Sequence, residues 1–282
     1  MGQNLHARQA QLADFPGLTV LLETTPNIHR HLDWRPALEW LGCDAFWVLE
    51  DDSQIVAALA CPPDPPGVAW IRLFAVHPAV NTVIAWNLLF ARARVFLRKT
   101  PQLRAAGIVL HPWFGDLLST AEFTHHQDIV VLEWDNVLPA PVRNAPAIDI
   151  RPIQPDEMAQ VARVDNTSFE SLWQNSQDSL VLALKQAAYA TVAVADGQVI
   201  GYQISTGSGY SAHLARLAVL PRLQHKAIGY LLVRDLLQYF ANREIYRITV
   251  NTQDNNQSSL ALYKKLGFWL TGDQFQVLVY PE

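Results

Sequence analysis

The sequence predicts an α/β protein built from two copies of one unit, on three observations. The stretch Leu214–Leu232 (LARLAVLPRLQHKAIGYLL) reads as a buried strand stopped by Pro221, a tight polar loop around Gly229, and a helix with apolar residues at Leu231, Leu232, Leu236 and Leu237. The order recurs upstream, where Phe74–Pro78 (FAVHP) matches Leu217–Pro221 (LAVLP) and an apolar helix follows each proline. Between the copies, Val137–Ala147 (VLPAPVRNAPA) carries three prolines and no hydrophobic period, the signature of an extended linker. With 282 residues, half of them apolar, the chain has material for two cores.

In chain order, Leu5–Leu18 opens like Ile148–Val161, with Arg8 matching Arg151 and an acid following at Asp14 or Asp156. A helix is expected after each. Phe46–Leu59 and Thr191–Gln203 both read as strand, acidic turn, strand, and Asp196-Gly197 in the second is a hairpin signal. The helices Trp86–Phe96 and Tyr230–Phe240 come next, and Ile129–Trp134 and Phe275–Tyr280 close the copies as apolar strands. The expected boundaries are residues 1–136 for the first domain, 137–147 for the linker and 148–282 for the second domain.

Composition narrows the function. No apolar run approaches the roughly 20 residues that span a bilayer, and the first residues lack the order of a signal peptide, so a cytoplasmic protein without a membrane partner is expected. A net charge of −5 argues against a nucleic-acid partner and makes cationic amines natural ligands. Cys43 and Cys61 fall in no metal-ligand pattern, and the adjacent His125 and His126 would point to opposite faces of an extended segment. No metal is expected.

The loop is where ligand chemistry is expected. A helix start leaves backbone N–H groups without intrahelical partners, and with the helix dipole they form a site for phosphate or pyrophosphate. From Val219 the pattern V-x-P-x-x-Q-x-K-x-I-G-x-x-L resembles the acetyl-coenzyme A loop of the GNAT acetyltransferase superfamily, usually Q/R-x-x-G-x-G/A, with Gln224, Ala227 and Gly229 on its key positions. Asn256–Phe268 (NQSSLALYKKLGF) is similar to that superfamily's next motif at Asn256, Leu262, Tyr263, Gly267 and Phe268. Ala227 stands where glycine is usual, which a negative φ there would allow.

The resemblance implies two tandem domains, each a mixed, largely antiparallel sheet flanked by helices, and an acetyl-CoA-dependent N-acetyltransferase acting by direct attack of a primary amine. It implies a coenzyme held by backbone groups of Leu217, Ala218 and Val219, by Gln224, His225, Lys226, Ala227, Ile228, Gly229 and Tyr230, and by Asn256, which is equally suited to capping the next helix. Tyr263 falls at the general acid's place; the other reading is a core tyrosine. Asn251 stands where members acting on protein N-termini carry a glutamate base, and an asparagine cannot take the proton. His213 matches the base position of the histone-acetylating branch, with a water chain as the alternative.

Asp165, Phe169, Glu170 and Trp173 lie where the family builds its acceptor site, with a spacing like that of the branch acting on ribosomal-protein N-termini. Their aromatic and acidic groups suit a cationic amine, although Phe169 and Trp173 also fit a core-facing helix. The acceptor is then a small molecule or a peptide or protein amine, and the chain a monomer or homodimer. In the first copy Asn81, Ile84 and Trp86 replace Gln224, Ala227 and Gly229, while His111 and Leu118 stand opposite Asn256 and Tyr263, which marks a degenerate domain whose loop Trp86 and Ile84 fill. Two other functions fit the residues: a module that holds acetyl-CoA or CoA without turnover, and an interaction protein that binds neither.

Overall fold

The computed structural model describes residues 4–100 and 102–281. The chain divides into two compact units, Met1–His126 with Gln276–Glu282, and Gln127–Phe275. Among the described residues no helix is long and apolar enough to cross a membrane.

The first unit contains, in order, β1 (His6–Gln9), α1 (Phe15–Thr24), β2 (Ile28–Arg30), β3 (Phe46–Asp51), β4 (Gln54–Ala60), β5 (Val68–Trp70), β6 (Leu73–Val76), α2 (Thr82–Arg98), β7 (Arg104–Ile108) and α3 (Pro112–Thr120). Its antiparallel sheet has the order β1-β3-β4-β6-β2, and β5 pairs in parallel with β7. Buried aromatics of α2 and α3, among them Trp86, Phe90 and Phe114, pack with Phe74 of β6 to make the core.

After β8 (Thr124–Trp134), the second unit continues through β9 (Asp149–Pro152), α4 (Met158–Ser168), α5 (Gln177–Gln186), β10 (Tyr189–Ala195), β11 (Gln198–Ser208), β12 (Ser211–Val219), α6 (Ile228–Ala241), β13 (Arg247–Gln253), α7 (Gln257–Lys265) and β14 (Phe268–Val279). Its strands run β14-β8-β13-β12-β11-β10-β9, with β12 and β13 parallel. Helices α6 and α7 cover one face, where Val233, Leu236 and Tyr263 pack on Leu214 and Val250.

The internal repeat extends to backbone detail. The β3–β4 turn passes through Asp52 and Ser53 at φ of 46° and 69°, and the β10–β11 turn through Asp196 and Gly197 at 50° and 72°. Two consecutive positive φ values give the hairpin geometry that matches strand twist. Arg8 grips Asp14 with two hydrogen bonds of 2.7 and 2.8 Å, and Arg151 grips Glu157 with two of 2.8 and 2.6 Å. Each acid also accepts the N–H of a glutamine three residues earlier, Gln11 or Gln154, and so starts the turn that leads into α1 or α4. The partner of Arg151 is Glu157, one residue beyond Asp156, because the third residue of the turn is the one that can reach back to the cap.

The compact units and the expected boundaries differ at the closing strands. Ile129–Glu133 of β8, which ends the first copy in sequence, pairs with β13, whereas Val277–Val279 at the end of β14 pairs with β7. A sheet edge is a row of unpaired backbone groups, and each closing strand satisfies the edge in the other copy. Residues 137–147 form no helix or strand but lie along α6, where the carbonyl oxygens of Ala140 and Pro139 accept from Tyr230 Oη (2.8 Å) and Arg234 Nε (3.0 Å).

Candidate active site

The site forms where β12 leaves β13. The two strands pair only from Ser211↔Arg247 to Leu214↔Val250, and at that point β12 carries a bulge: Ile204 of β11 faces Arg216 while Ser205 faces Leu214, so Ala215 is the extra residue. A bulge bends its strand and re-aims the side chains beyond it. Leu214 packs toward α6, and past the bulge Leu217 and Val219 do so as well, while Arg216 projects to the other face toward α4.

Beyond Leu214 the β13-facing edge of β12 is open. Leu220 N donates to Ile200 O at 3.0 Å, so by the two-residue period the backbone of Ala218 faces β11 and that of Leu217 and Val219 faces the opening. Two side chains already donate to Val219 O, Ser168 Oγ at 3.1 Å and Gln224 Nε2 at 3.2 Å. The amide groups of Leu217 and the N–H of Val219 remain for a ligand. Gln224 braces the loop against the strand.

The opening leads to an uncapped helix. Among the described residues, the backbone N–H groups of His225 through Tyr230 donate to no backbone carbonyl, and Ala227 at the N-cap offers no side-chain acceptor. Six donors are thus left without backbone partners at or just before the positive end of α6. His225 and Ala227 hold φ of 61° and 63°. The expectation of a negative φ at Ala227 therefore fails: the loop needs the left-handed conformation there, at a cost of about 1–2 kcal/mol for a residue with a Cβ.

The side chains of Ile228 and Tyr230 turn into the core, so they offer only their amides. A Cβ at Gly229 would lie 3.3 Å from Leu262 Cδ2, so the glycine also admits α7 close to α6. Lys226 is exposed beside the loop.

Asn256 caps α7, its Oδ1 accepting from Ser259 N at 3.1 Å while its Nδ2 donates to Gln253 at 3.2 Å. Tyr263, one turn from the end of the same helix, is 4% exposed, packs on Phe268, and has its phenol pushed upward by burial. His213 Nδ1 lies 2.9 Å from Thr249 Oγ1, and burial holds its pKa below the usual value. His213 pairs directly with Thr249, whereas Tyr263 packs with Val250, so the two candidates for acid and base project to opposite faces of the sheet. They flank the opening and do not touch.

The expected cation receptor is already occupied. Asp165 is fully buried, its Oδ2 accepting from Arg216 Nε at 2.7 Å and from Tyr202 Oη, its Oδ1 from Asn175 N at 2.8 Å. Arg216 also donates to Trp173 O at 2.5 Å and lies 3.7 Å from the centre of the Phe169 ring. A buried carboxylate demands a cation, and Arg216 supplies it from within the chain. Asp165 and Phe169 therefore bolt the segment after α4 to the bulged strand. Arg216 was missed in the sequence because its partner is 51 residues away; an arginine inside an apolar strand run was the available signal.

The same places in the first unit are built differently. The edge of β6, equivalent to the open edge of β12, is paired with β2 through Ile28↔Ala75, His29↔Phe74 and Arg30↔Leu73. Asn81 caps α2, its Oδ1 accepting from Val83 N at 3.0 Å and Ile84 N at 3.1 Å. Trp86 is buried against Phe90, but Ile84 is half exposed and fills nothing.

An open edge on a bulged strand thus lies beside a helix start without a side-chain cap, on a mixed sheet. Residues 157–268 match the Acetyltransferase (GNAT) family. The matched segment lies within the second unit and runs from the turn before α4 to the start of β14, and the enzyme class it indicates is N-acetyltransferase. No curated protein matches the sequence significantly.

Solved structures match the chain over nearly its whole length. A conserved protein of unknown function from Enterococcus faecalis V583 superposes with a TM-score of 0.72 at 10% identity, covering 99% of this chain and 72% of that one. A tandem GNAT protein from the clavulanic acid biosynthesis pathway gives 0.61 at 18% identity, over 98% of both chains. A GCN5-related N-acetyltransferase from Sphaerobacter thermophilus gives 0.61 at 12% identity, over 99% of this chain and 96% of that one. At these identities the likeness is one of fold, and the fold is that of tandem GNAT proteins.

Proposed function

We propose that the second unit transfers an acetyl group from acetyl-CoA to a primary amine, on a small molecule or at a peptide or protein N-terminus, by direct attack, and that the first unit is a degenerate copy that binds no coenzyme. The observation that carries this reading is the contrast between the copies. The second leaves six helix N–H groups and a strand edge open, while the first pairs the edge with β2 and caps the helix with Asn81.

The residues fit the co-substrate. Amides of residues 225–230 suit the pyrophosphate, the exposed Lys226 adds charge, and the Leu217–Val219 edge suits the amide-bearing arm that follows, with Asn256 at its side. The bound thioester supplies the activated acetyl group. His213, neutral because it is buried, can take a proton from the amine at Nε2 while Thr249 holds Nδ1. Tyr263, kept protonated by burial, can give its Oη proton to the departing sulfur. In balance, the amine N–C bond forms, the C–S bond breaks, the amine proton passes to His213 and the thiol receives its proton from Tyr263. Acid and base on opposite faces of the sheet suit an acceptor and a thioester that meet through the opening, where positioning lowers the barrier.

Calorimetric titration with acetyl-CoA, together with thiol release over a panel of amines, tests the reading. One site per chain and thiol release with at least one amine are expected. Two equivalent sites would overturn the degenerate assignment, and one-site binding with no release from any amine would make the protein a coenzyme-holding module.

A further inference from the structure

The sheet face that carries His213 is polar across four strands. Direct pairing sets Thr206 beside His213, His213 beside Thr249 and Thr249 beside Glu133, and directly paired residues project to one face. One step along the strands, Ser208, Ser211 and Arg247 form a second row. A depression of about 310 Å³ lies over these rows, lined by hydroxyl groups, by His213 and by a single charged side chain, Arg247.

Arg247 uses Nε on Glu133 Oε2 at 3.2 Å, is 70% exposed, and keeps both Nη groups free for a ligand among the described residues. A guanidinium fork matches a carboxylate in two parallel hydrogen bonds, a match that neither hydroxyls nor a neutral imidazole offers. Arg247 and His213 sit on neighbouring strands two residues out of register, which places their Cα atoms about 8 Å apart from strand spacings alone. A short molecule can therefore present its nitrogen to His213 and its anion to Arg247.

We propose that the acceptor is an amine that also bears a carboxylate, an amino-acid-like compound, and that Arg247 selects it. The inference rests on the acetyltransferase reading above and narrows it. It runs against the cationic amine suggested by net charge, because the lining of this depression offers no carboxylate to receive one and Asp165 is already neutralised by Arg216.

The test is thiol release from acetyl-CoA by the full chain with L-alanine, L-glutamate, β-alanine and 4-aminobutyrate, each against its carboxamide, and with carboxylate-free amines including a polyamine. For the best pair, kcat/KM of the acid should exceed that of the amide by at least about 10-fold, consistent with a charge-assisted pair. In Arg247→Gln the ratio should fall to within about 3-fold of one through KM, with partial recovery in Arg247→Lys. Acids and amides used equally, a preference for the polyamine, or a ratio unchanged in Arg247→Gln would each overturn the proposal while leaving the acetyltransferase reading intact. No release from any amine would overturn both.

Discussion

Acidification should weaken the first unit through one buried imidazole. His29 is fully buried on β2, its Nε2 lies 3.0 Å from Ile71 O, its ring stacks on Phe114 at 3.8 Å, and its Nδ1 has no partner. Burial, with His111 nearby, lowers its pKa to about 4, and Ile71 O opposes this only in part. An unfolded histidine titrates near ~6.5, so between these values the unfolded chain binds the proton and the folded one does not. The stabilising contribution is therefore complete above about pH 6.5 and is lost as pH falls toward 4. At ~1.36 kcal/mol per pH unit the full loss is about 3 kcal/mol, of which about 2 kcal/mol is gone by pH 5. His31, stacked on Trp70 and also held neutral by burial, adds in the same direction.

The assay is urea denaturation followed by tryptophan fluorescence at pH 7.5 and 5.0, which reports chiefly the first unit because six of the nine tryptophans lie there. The His29→Gln variant keeps an amide donor for Ile71 O but cannot titrate. Its stability should fall by about 2 kcal/mol less than the wild type between the two pH values, whatever its starting stability. An identical fall in both proteins would refute the reasoning and place the acid sensitivity elsewhere.

Three further outcomes follow from the second unit. Tyr263→Phe keeps the ring on Phe268 and removes the proton donor, so kcat should drop roughly 10²–10⁴-fold with acetyl-CoA affinity within a few-fold, as steady-state kinetics and calorimetry can measure. Gly229→Trp should abolish acetyl-CoA binding by forcing α7 and the strand end at Val219 away from the start of α6, whereas Gly229→Ala, which needs only a small yield of Leu262, should retain the fold by circular dichroism. Arg216→Leu leaves Asp165 buried without its cation and should cost about 3–5 kcal/mol of stability in chemical denaturation, more than Arg247→Leu at the exposed pair with Glu133.

Local rules made much of this protein legible. Asp196-Gly197 can take two positive φ values and so announces its hairpin, Arg151 and the acid beyond it mark a helix entry, and the strand stopped by Pro221 ahead of a polar loop marks a helix start whose donors lack partners. The duplication was visible because both copies repeat these signals at matching places. Ala227 shows the limit of such reading, since sequence permits either sign of φ and only the closed loop demands the positive one.

By itself, then, the sequence determined the two-copy α/β plan, the polar loop ahead of α6 and the elements that carry Tyr263, Asn256 and His213, all of which depend on spacings of a few residues. Tertiary structure decided the rest. Pairing across 51 residues turned Asp165 from a candidate receptor into a buried partner of Arg216. Backbone hydrogen bonds at sheet edges sent β8 and β14 into the opposite units and let β2 fill the cleft in the first copy. Such contacts are fixed by which edges and charges must be satisfied once the chain is compact, and no local pattern records the identity of the partner.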